Sequence, residues 1–302
     1  MTLFDPSPDN EKMNSGSIPS DILPKLKSED IDHTRISYLD YEGPGERPLT
    51  FLHATGFLPW LWHPIARKLT SSFHSFAPYF CDHRHADPKA GGLHWSVLAE
   101  DFAALCRRLD IADGYFVGHS MGATVLTFAA ALYGLRAKAM ILIEPIYLPV
   151  ELYKRPMTIA EHPLASKAVK RRNAWHDDEE AKQYLKSRDL FRQWDDEALD
   201  LYIRYGLRRQ ENGGLELTCS PQREAALFMG GIHHDPWPLL PRVQCPILVV
   251  EGQLSDNKRM IDLKKASSLI PNGSYMLVEN VGHLIPMENP EAVTRIIRDY
   301  FK

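Results

Sequence analysis

Five residues, Gly118-His119-Ser120-Met121-Gly122, join the short apolar run Gly114-Tyr115-Phe116-Val117 to the small-residue stretch from Ala123 to Tyr133. The run reads as a buried strand and the stretch as a helix that Gly134 stops. A strand that turns into a helix over so short a span imposes a steric demand. The residue at the apex must hold strained backbone angles, and glycines on either side keep neighbouring Cβ atoms out of the bend. The same turn puts Ser120 at a helix N-terminus, where free backbone N–H groups favour negative charge. The pentapeptide alone also describes an incidental Gly/Ser turn. Its setting between strand and helix is what gives it weight.

The rest of the chain has the matching rhythm. Arg35 to Tyr41 alternates and is stopped by Glu42-Gly43-Pro44-Gly45; Pro48 to His53 and Phe73 to Cys81 are further strand-like runs. Leu98, Phe102, Leu105 and Leu109 mark a helix between Leu93 and Leu109, and Ala139 to Ile143 is continuously apolar, as a central parallel strand should be. Strands alternating with helices predict an α/β fold with a mostly parallel sheet covered by helices. From about Tyr147 to Pro241 the strand rhythm lapses into a charged, helix-prone stretch carrying Trp175, Trp194 and Trp237. Pro246 to Glu251 and Ser274 to Val278 restore it, and Pro290 to Phe301 closes the chain as an amphipathic helix. The expected organisation is therefore a flexible arm over 1–30, a core over 31–146 and 242–302, and a helical insertion over 147–241. Structure is expected to begin only near Asp32.

A chain of 302 residues with 44% hydrophobic and 25% charged residues has the balance of one sizeable soluble domain carrying an insertion. A net charge of −4 offers no basic footprint for nucleic acid. No apolar run approaches the roughly 20 residues of a membrane helix. Cys81, Cys106, Cys219 and Cys245 are widely spaced without a CxxC pair, so neither a disulfide framework nor a zinc site is indicated. With no secretory signal at the start, the expectation is reduced thiols in a cytoplasm. The partner expected is a small-molecule substrate, with neither nucleic acid nor membrane, and a homodimer is left open.

In their order these segments resemble an α/β-hydrolase with a cap domain, from about Arg35 to Lys302. The resemblance makes Ser120 the nucleophile of a serine hydrolase. His53-Ala54-Thr55-Gly56-Phe57 resembles the family's oxyanion loop, which implies that the backbone N–H groups of Thr55 and Met121 form the oxyanion hole. His53 itself is expected to shape that loop rather than move protons. Asn280-Val281-Gly282-His283-Leu284-Ile285-Pro286 resembles the catalytic-histidine loop. Among thirteen histidines it is position that selects His283, after the last strand and beside a glycine. An imidazole there can take the Ser120 proton and return it to a leaving group.

The acid is less clear-cut. Glu251-Gly252-Gln253-Leu254-Ser255-Asp256 follows the penultimate strand, where the family usually places it, but the commoner spacing falls on Ser255. Asp256 is the nearest carboxylate and is the expected acid; Glu144, at the end of the strand after the nucleophile helix, is the alternative, and Glu251 a minor third. Whichever it is must hold the histidine tautomer and stabilise the imidazolium. A serine at position 120, where relatives acting on haloalkanes or epoxides carry aspartate, favours acyl transfer through an acyl-enzyme.

The expected activity is hydrolysis of a small to medium apolar ester, with no cofactor and no metal. The same machinery would serve a carbon–carbon bond hydrolase, a lactonase, or a cofactor-free haloperoxidase or perhydrolase. A ligand-binding protein on a hydrolase scaffold is the rival from another class. Asp82-His83-Arg84-His85-Ala86-Asp87 reads as a loop after the third strand before it reads as a metal site. His233-His234-Asp235 reads as a solvated hinge. Lys170-Arg171-Arg172 reads as a solvated helix face before it reads as an anion contact.

Overall fold

The computed structural model describes residues 23–32, 34–80, 83–211 and 213–302. Where the sequence predicts an arm through residue 30, residues 1–22 lie outside the described residues and Lys25–Ile31 forms a strand, β1. It pairs antiparallel with β2 (Thr34–Tyr41). The reason it was not expected is physical. Nearly all of β1 is exposed, so it has no apolar alternation, and charge holds its edge: Lys27 Nζ lies 2.7 Å from Asp40 and 3.0 Å from Glu42.

The chain continues through β3 (Arg47–Leu52), the short helix α1 (His63–Ala66) and β4 (Phe73–Pro78). Then follow α2 (Trp95–Arg108), β5 (Tyr115–His119), α3 (Met121–Leu132) and β6 (Ala139–Ile143). The stretch before the next sheet strand holds α4 (Ala165–Ala168), α5 (Asp178–Lys186), α6 (Asp196–Gly206) and α7 (Pro221–Gly230). It also holds a small antiparallel ladder, β7 (Leu207–Arg209) with β8 (Leu215–Leu217), where only helix was expected. The core resumes with β9 (Ile247–Gly252), α8 (Leu263–Leu269) and β10 (Gly273–Val278), then α9 (Ile285–Glu288) and α10 (Pro290–Tyr300).

The main sheet has eight strands in the order β1-β2-β4-β3-β5-β6-β9-β10, parallel from β4 to β10. Its central strands are buried on both faces, which is why they read as continuous apolar runs rather than alternating ones. Phe116, Met140, Leu142 and Val249 face a core shared with α2, α3 and α8. Their neighbours Val117, Ile141, Ile143 and Val250 face the other, shared with α1 and α10. Apolar residues on both faces leave the strand ends as the place for polar groups, and in open parallel sheets the carboxyl ends carry the site.

The stretch between β6 and β9 is tied to the core beside those ends. Trp60 stacks on Tyr205 of α6 at 3.6 Å, and Arg67 of the core pairs with Glu197 at 2.7 Å. The Leu93 N–H donates to Ala226 O of α7 at 3.0 Å. Asp195 and Ser220 cap α6 and α7 with their side chains. Among the described residues no helix is long and apolar enough to cross a membrane.

Candidate active site

The turn between β5 and α3 has the strain its sequence implies. Ser120 sits at φ 54°, ψ −115°, in a region that side chains other than glycine rarely enter. The flanking glycines are required by close approach. A Cβ on Gly118 would stand 2.6 Å from the Ala123 backbone, and one on Gly122 would stand 2.4 Å from Leu52 O. Ser120 N–H donates to Ile143 O of β6 at 2.9 Å, which pins the apex to the sheet.

The loop after β10 brings His283 to that apex. Its Nε2 lies 3.1 Å from Ser120 Oγ, although the two residues stand far apart in the chain. His119, at the second position of the pentapeptide, supports the loop: its Nε2–H donates to His283 O at 2.9 Å. Burial pushes the His119 pKa well below that of an ordinary imidazole, so the ring is neutral and structural. Glu288 closes the same loop from the other side, accepting from the Gly282 N–H at 2.5 Å and the Leu284 N–H at 3.2 Å.

The carboxylate beside His283 is Glu144. Its Oε2 lies 2.9 Å from His283 Nδ1 and accepts from Ser255 Oγ at 2.8 Å, while its Oε1 accepts from the Gly252 N–H at 2.7 Å. Glu144 is buried and, like Ser120, holds a positive φ, 50°. Asp256, the acid expected from the sequence, makes no bond to the histidine. Its side chain is 88% exposed and pairs with Arg259 at 3.2 Å. A short 3₁₀ turn over Asp256–Arg259 explains the exchange. It turns Asp256 to solvent while Ser255 and Asn257, on either side, point inward; Asn257 Nδ2 lies 2.9 Å from His283 Nδ1. Glu251 is also elsewhere, bonded to the Tyr275 hydroxyl, with burial raising its pKa.

On the other side of Ser120 lies the loop after β3. Thr55 and Met121 are buried, and neither backbone N–H has an acceptor among the described residues. Buried N–H groups without partners are rare, and a pair beside a serine hydroxyl has the geometry to receive a developing oxyanion. His53 does what a loop-shaping residue should: Nδ1 lies 2.9 Å from Ala54 O, and Nε2 accepts from the Phe80 N–H at 3.0 Å. Burial of the ring pushes its pKa down to about 4, against the opposing pull of the Ala54 carbonyl.

The other clusters are occupied by packing. His83 and Arg84 turn onto Asp101 of α2, at 2.9 Å and 2.6 Å; Asp82 and Cys81 lie outside the described residues. His233 donates to Gly91 O at 2.8 Å and stacks on His94, and His234 sits against Phe128. Cys106, Cys219 and Cys245 are free thiols.

Ser255, Asn257, His119 and Glu288 were not assigned roles from sequence. Ser255 carried a signal, since it occupies the position where the commoner spacing places the acid.

Comparison with known proteins gives the same scaffold. A 2-(acetamidomethylene)succinate hydrolase of Mesorhizobium japonicum is 24% identical over 272 residues, which span 89% of this chain and 93% of that one. The solved structure of E-2-(acetamidomethylene)succinate hydrolase superposes with a TM-score of 0.77 at 21% identity, covering 92% of this chain and 99% of that one. A thermophilic esterase from Thermogutta terrifontis, with malate bound, gives 0.66 at 22%, covering 92% and 98%. The sequence model of the Alpha/beta hydrolase family matches residues 51–296. Spanning most of the core from β3 to α10, that match makes the chain a member of the α/β-hydrolase family.

Proposed function

We propose that the chain is a serine hydrolase that cleaves a small to medium ester through an acyl-enzyme, with Ser120 as nucleophile, His283 as general base and Glu144 as the orienting acid. The observation that carries this is the continuous relay from Ser120 Oγ to His283 Nε2 at 3.1 Å and from Nδ1 to Glu144 at 2.9 Å. Such a relay lets the imidazole take the hydroxyl proton as Oγ attacks a carbonyl carbon, then protonate the departing alkoxide. Glu144 keeps the proton on Nδ1 and balances the imidazolium. The Thr55 and Met121 N–H groups would receive the oxyanion, each typically worth about 3 kcal/mol of barrier. Water, deprotonated by His283, then releases the acid and restores Ser120. No cofactor enters this scheme.

The stretch between β6 and β9 would act as the cap. Phe57 meets Trp194 and Tyr202 edge-on at 5.4 Å and 5.8 Å, so the oxyanion loop carries an aromatic roof suited to an apolar group.

A second reading keeps the residues and changes the bond. The similar protein named for 2-(acetamidomethylene)succinate favours it, because the same relay can serve an amide, a lactone or a carbon–carbon bond. The named ligands of the similar proteins, that succinate and malate, are small carboxylates, which bears on the acid part of an ester as well.

Labelling by a fluorophosphonate, abolished in Ser120→Ala, tests the nucleophile. A burst of p-nitrophenol from short acyl esters tests the acyl-enzyme. Absence of both leaves the ligand-binding alternative standing in its place.

A further inference from the structure

Of the adjacent cations Lys170-Arg171-Arg172, the structure separates one from its neighbours. Lys170 and Arg172 are exposed, and Arg172 pairs with Glu180 at the surface. Arg171 turns inward and keeps only 22% of its side chain exposed. Its Nη1 donates to Glu224 Oε2 at 2.6 Å, and its Nη2 lies 3.4 Å from the Tyr202 hydroxyl. Glu224 in turn lies against the oxyanion loop, because a Cβ on Gly56 would stand 2.5 Å from Glu224 Oε1. Tyr202 packs edge-on against Phe57. The guanidinium is thus mounted over the loop that supplies the Thr55 N–H.

We infer that Arg171 anchors a carboxylate carried by the substrate, so that the ester taken is one bearing a free acid group, such as a half-ester of a short dicarboxylic acid. Calling that molecule a substrate rests on Ser120 as nucleophile; the binding of the carboxylate does not.

Taking a guanidinium out of water beside an aromatic roof is costly, and a partner charge offsets the cost only when the geometry is good. Glu224 supplies that partner, yet it engages Nη1 alone. Among the described residues no acceptor faces Nε, and the weak contact to Tyr202 leaves Nη2 with a hydrogen to give. The Nε–Nη2 edge of the fork, where only the long Tyr202 contact falls, has the planar spacing that receives a carboxylate through parallel N–H bonds. Glu224 also cancels much of the net charge, so recognition here works through fork geometry rather than bulk attraction. This predicts that lysine, a point charge without the fork, is a poor replacement.

Binding is read by calorimetry with glutarate and, as the uncharged control, dimethyl glutarate. Wild type is expected to bind glutarate more tightly than the diester. Arg171→Met should weaken glutarate by about tenfold or more, with Arg171→Lys recovering only part, and should leave the diester unchanged. Turnover of monomethyl glutarate against methyl valerate, followed by acid release, should show the same preference in KM. The inference is overturned if wild type binds acid and diester equally, binds neither, or if Arg171→Met holds glutarate as well as wild type does. Should that variant fail to fold, the wild-type comparison decides alone. Failure of the nucleophile assignment shows separately, as absence of fluorophosphonate labelling.

Discussion

Ser255 Oγ donates to Glu144 Oε2 at 2.8 Å, so the position at which the family's commoner spacing places its acid here presents a hydroxyl to a carboxylate arriving from the neighbouring strand. β6 and β9 pair in parallel, with Ile143 in register with Val250, so their ends open side by side onto the same face. A carboxylate leaving either end can reach the same imidazole edge.

Glu144→Gln keeps the volume and removes the charge. Turnover of p-nitrophenyl acetate should fall roughly 10³- to 10⁴-fold, the scale on which loss of an orienting carboxylate acts. Asp256→Asn, altering an exposed group paired only with Arg259, should stay near wild type. The reverse ranking in kcat would return the acid to Asp256.

Ser255 is predicted to hold Glu144 in place. Removing a hydrogen bond to a buried charged group costs about 1.5–3 kcal/mol, so Ser255→Ala should lower kcat by about one to two orders of magnitude and leave KM nearly alone. The double variant Glu144→Gln, Ser255→Asp carries the sharper expectation: with a carboxylate at the commoner position, it should run faster than Glu144→Gln alone. Equal rates would mean that residue 255 does not stand where an acid can act.

Much of this arrangement is legible in the sequence, and the reason is local. The bend at Ser120 needs its glycines and its strand–helix setting in continuous sequence, and His283 follows from its place after the last strand. The carboxylate beside His283 is not legible because two adjacent strand ends can deliver one, and which one does depends on how a four-residue 3₁₀ turn faces, with Asp256 outward and Ser255 inward. β1 was missed for a related reason. A strand held by Lys27 against Asp40 and Glu42 rather than by apolar pairing has no period to read.

The structural histidines make a prediction for stability. Burial lowers the pKa of both His53 and His63 to about 4 from an ordinary value of 6.5. The unfolded chain therefore takes up protons at these rings first as pH falls. Their contribution is intact above pH 6.5 and is lost progressively between there and about 4. Each buried ring can account for about 1.5 kcal/mol between pH 6.5 and 5, the slope approaching about 1.36 kcal/mol per pH unit only once the unfolded ring is mostly protonated. Urea midpoints measured across that window should fall toward acid, and His53→Gln should flatten the dependence. A dependence as steep in the variant as in wild type would remove His53 as a cause.

The bend itself can be tested by adding one methyl group at each of two glycines. At Gly122 a Cβ would stand 2.4 Å from Leu52 O and 2.7 Å from Leu52 Cβ, both on a sheet strand with neighbours on either side. Neither atom can retreat without moving the end of β3, and the loop carrying Thr55 follows directly from it. Gly122→Ala should cost about 2–4 kcal/mol in urea unfolding, as overpacking against rigid backbone does, and should lower kcat as well. Gly134→Ala meets nothing within 4 Å but must hold φ at 74°, so it should cost only about 1 kcal/mol, the ordinary penalty of that conformation, and leave kcat unchanged. Gly122 holds no positive φ, so a loss there no larger than at Gly134 would show that the close approach to β3 is not what requires glycine in the bend.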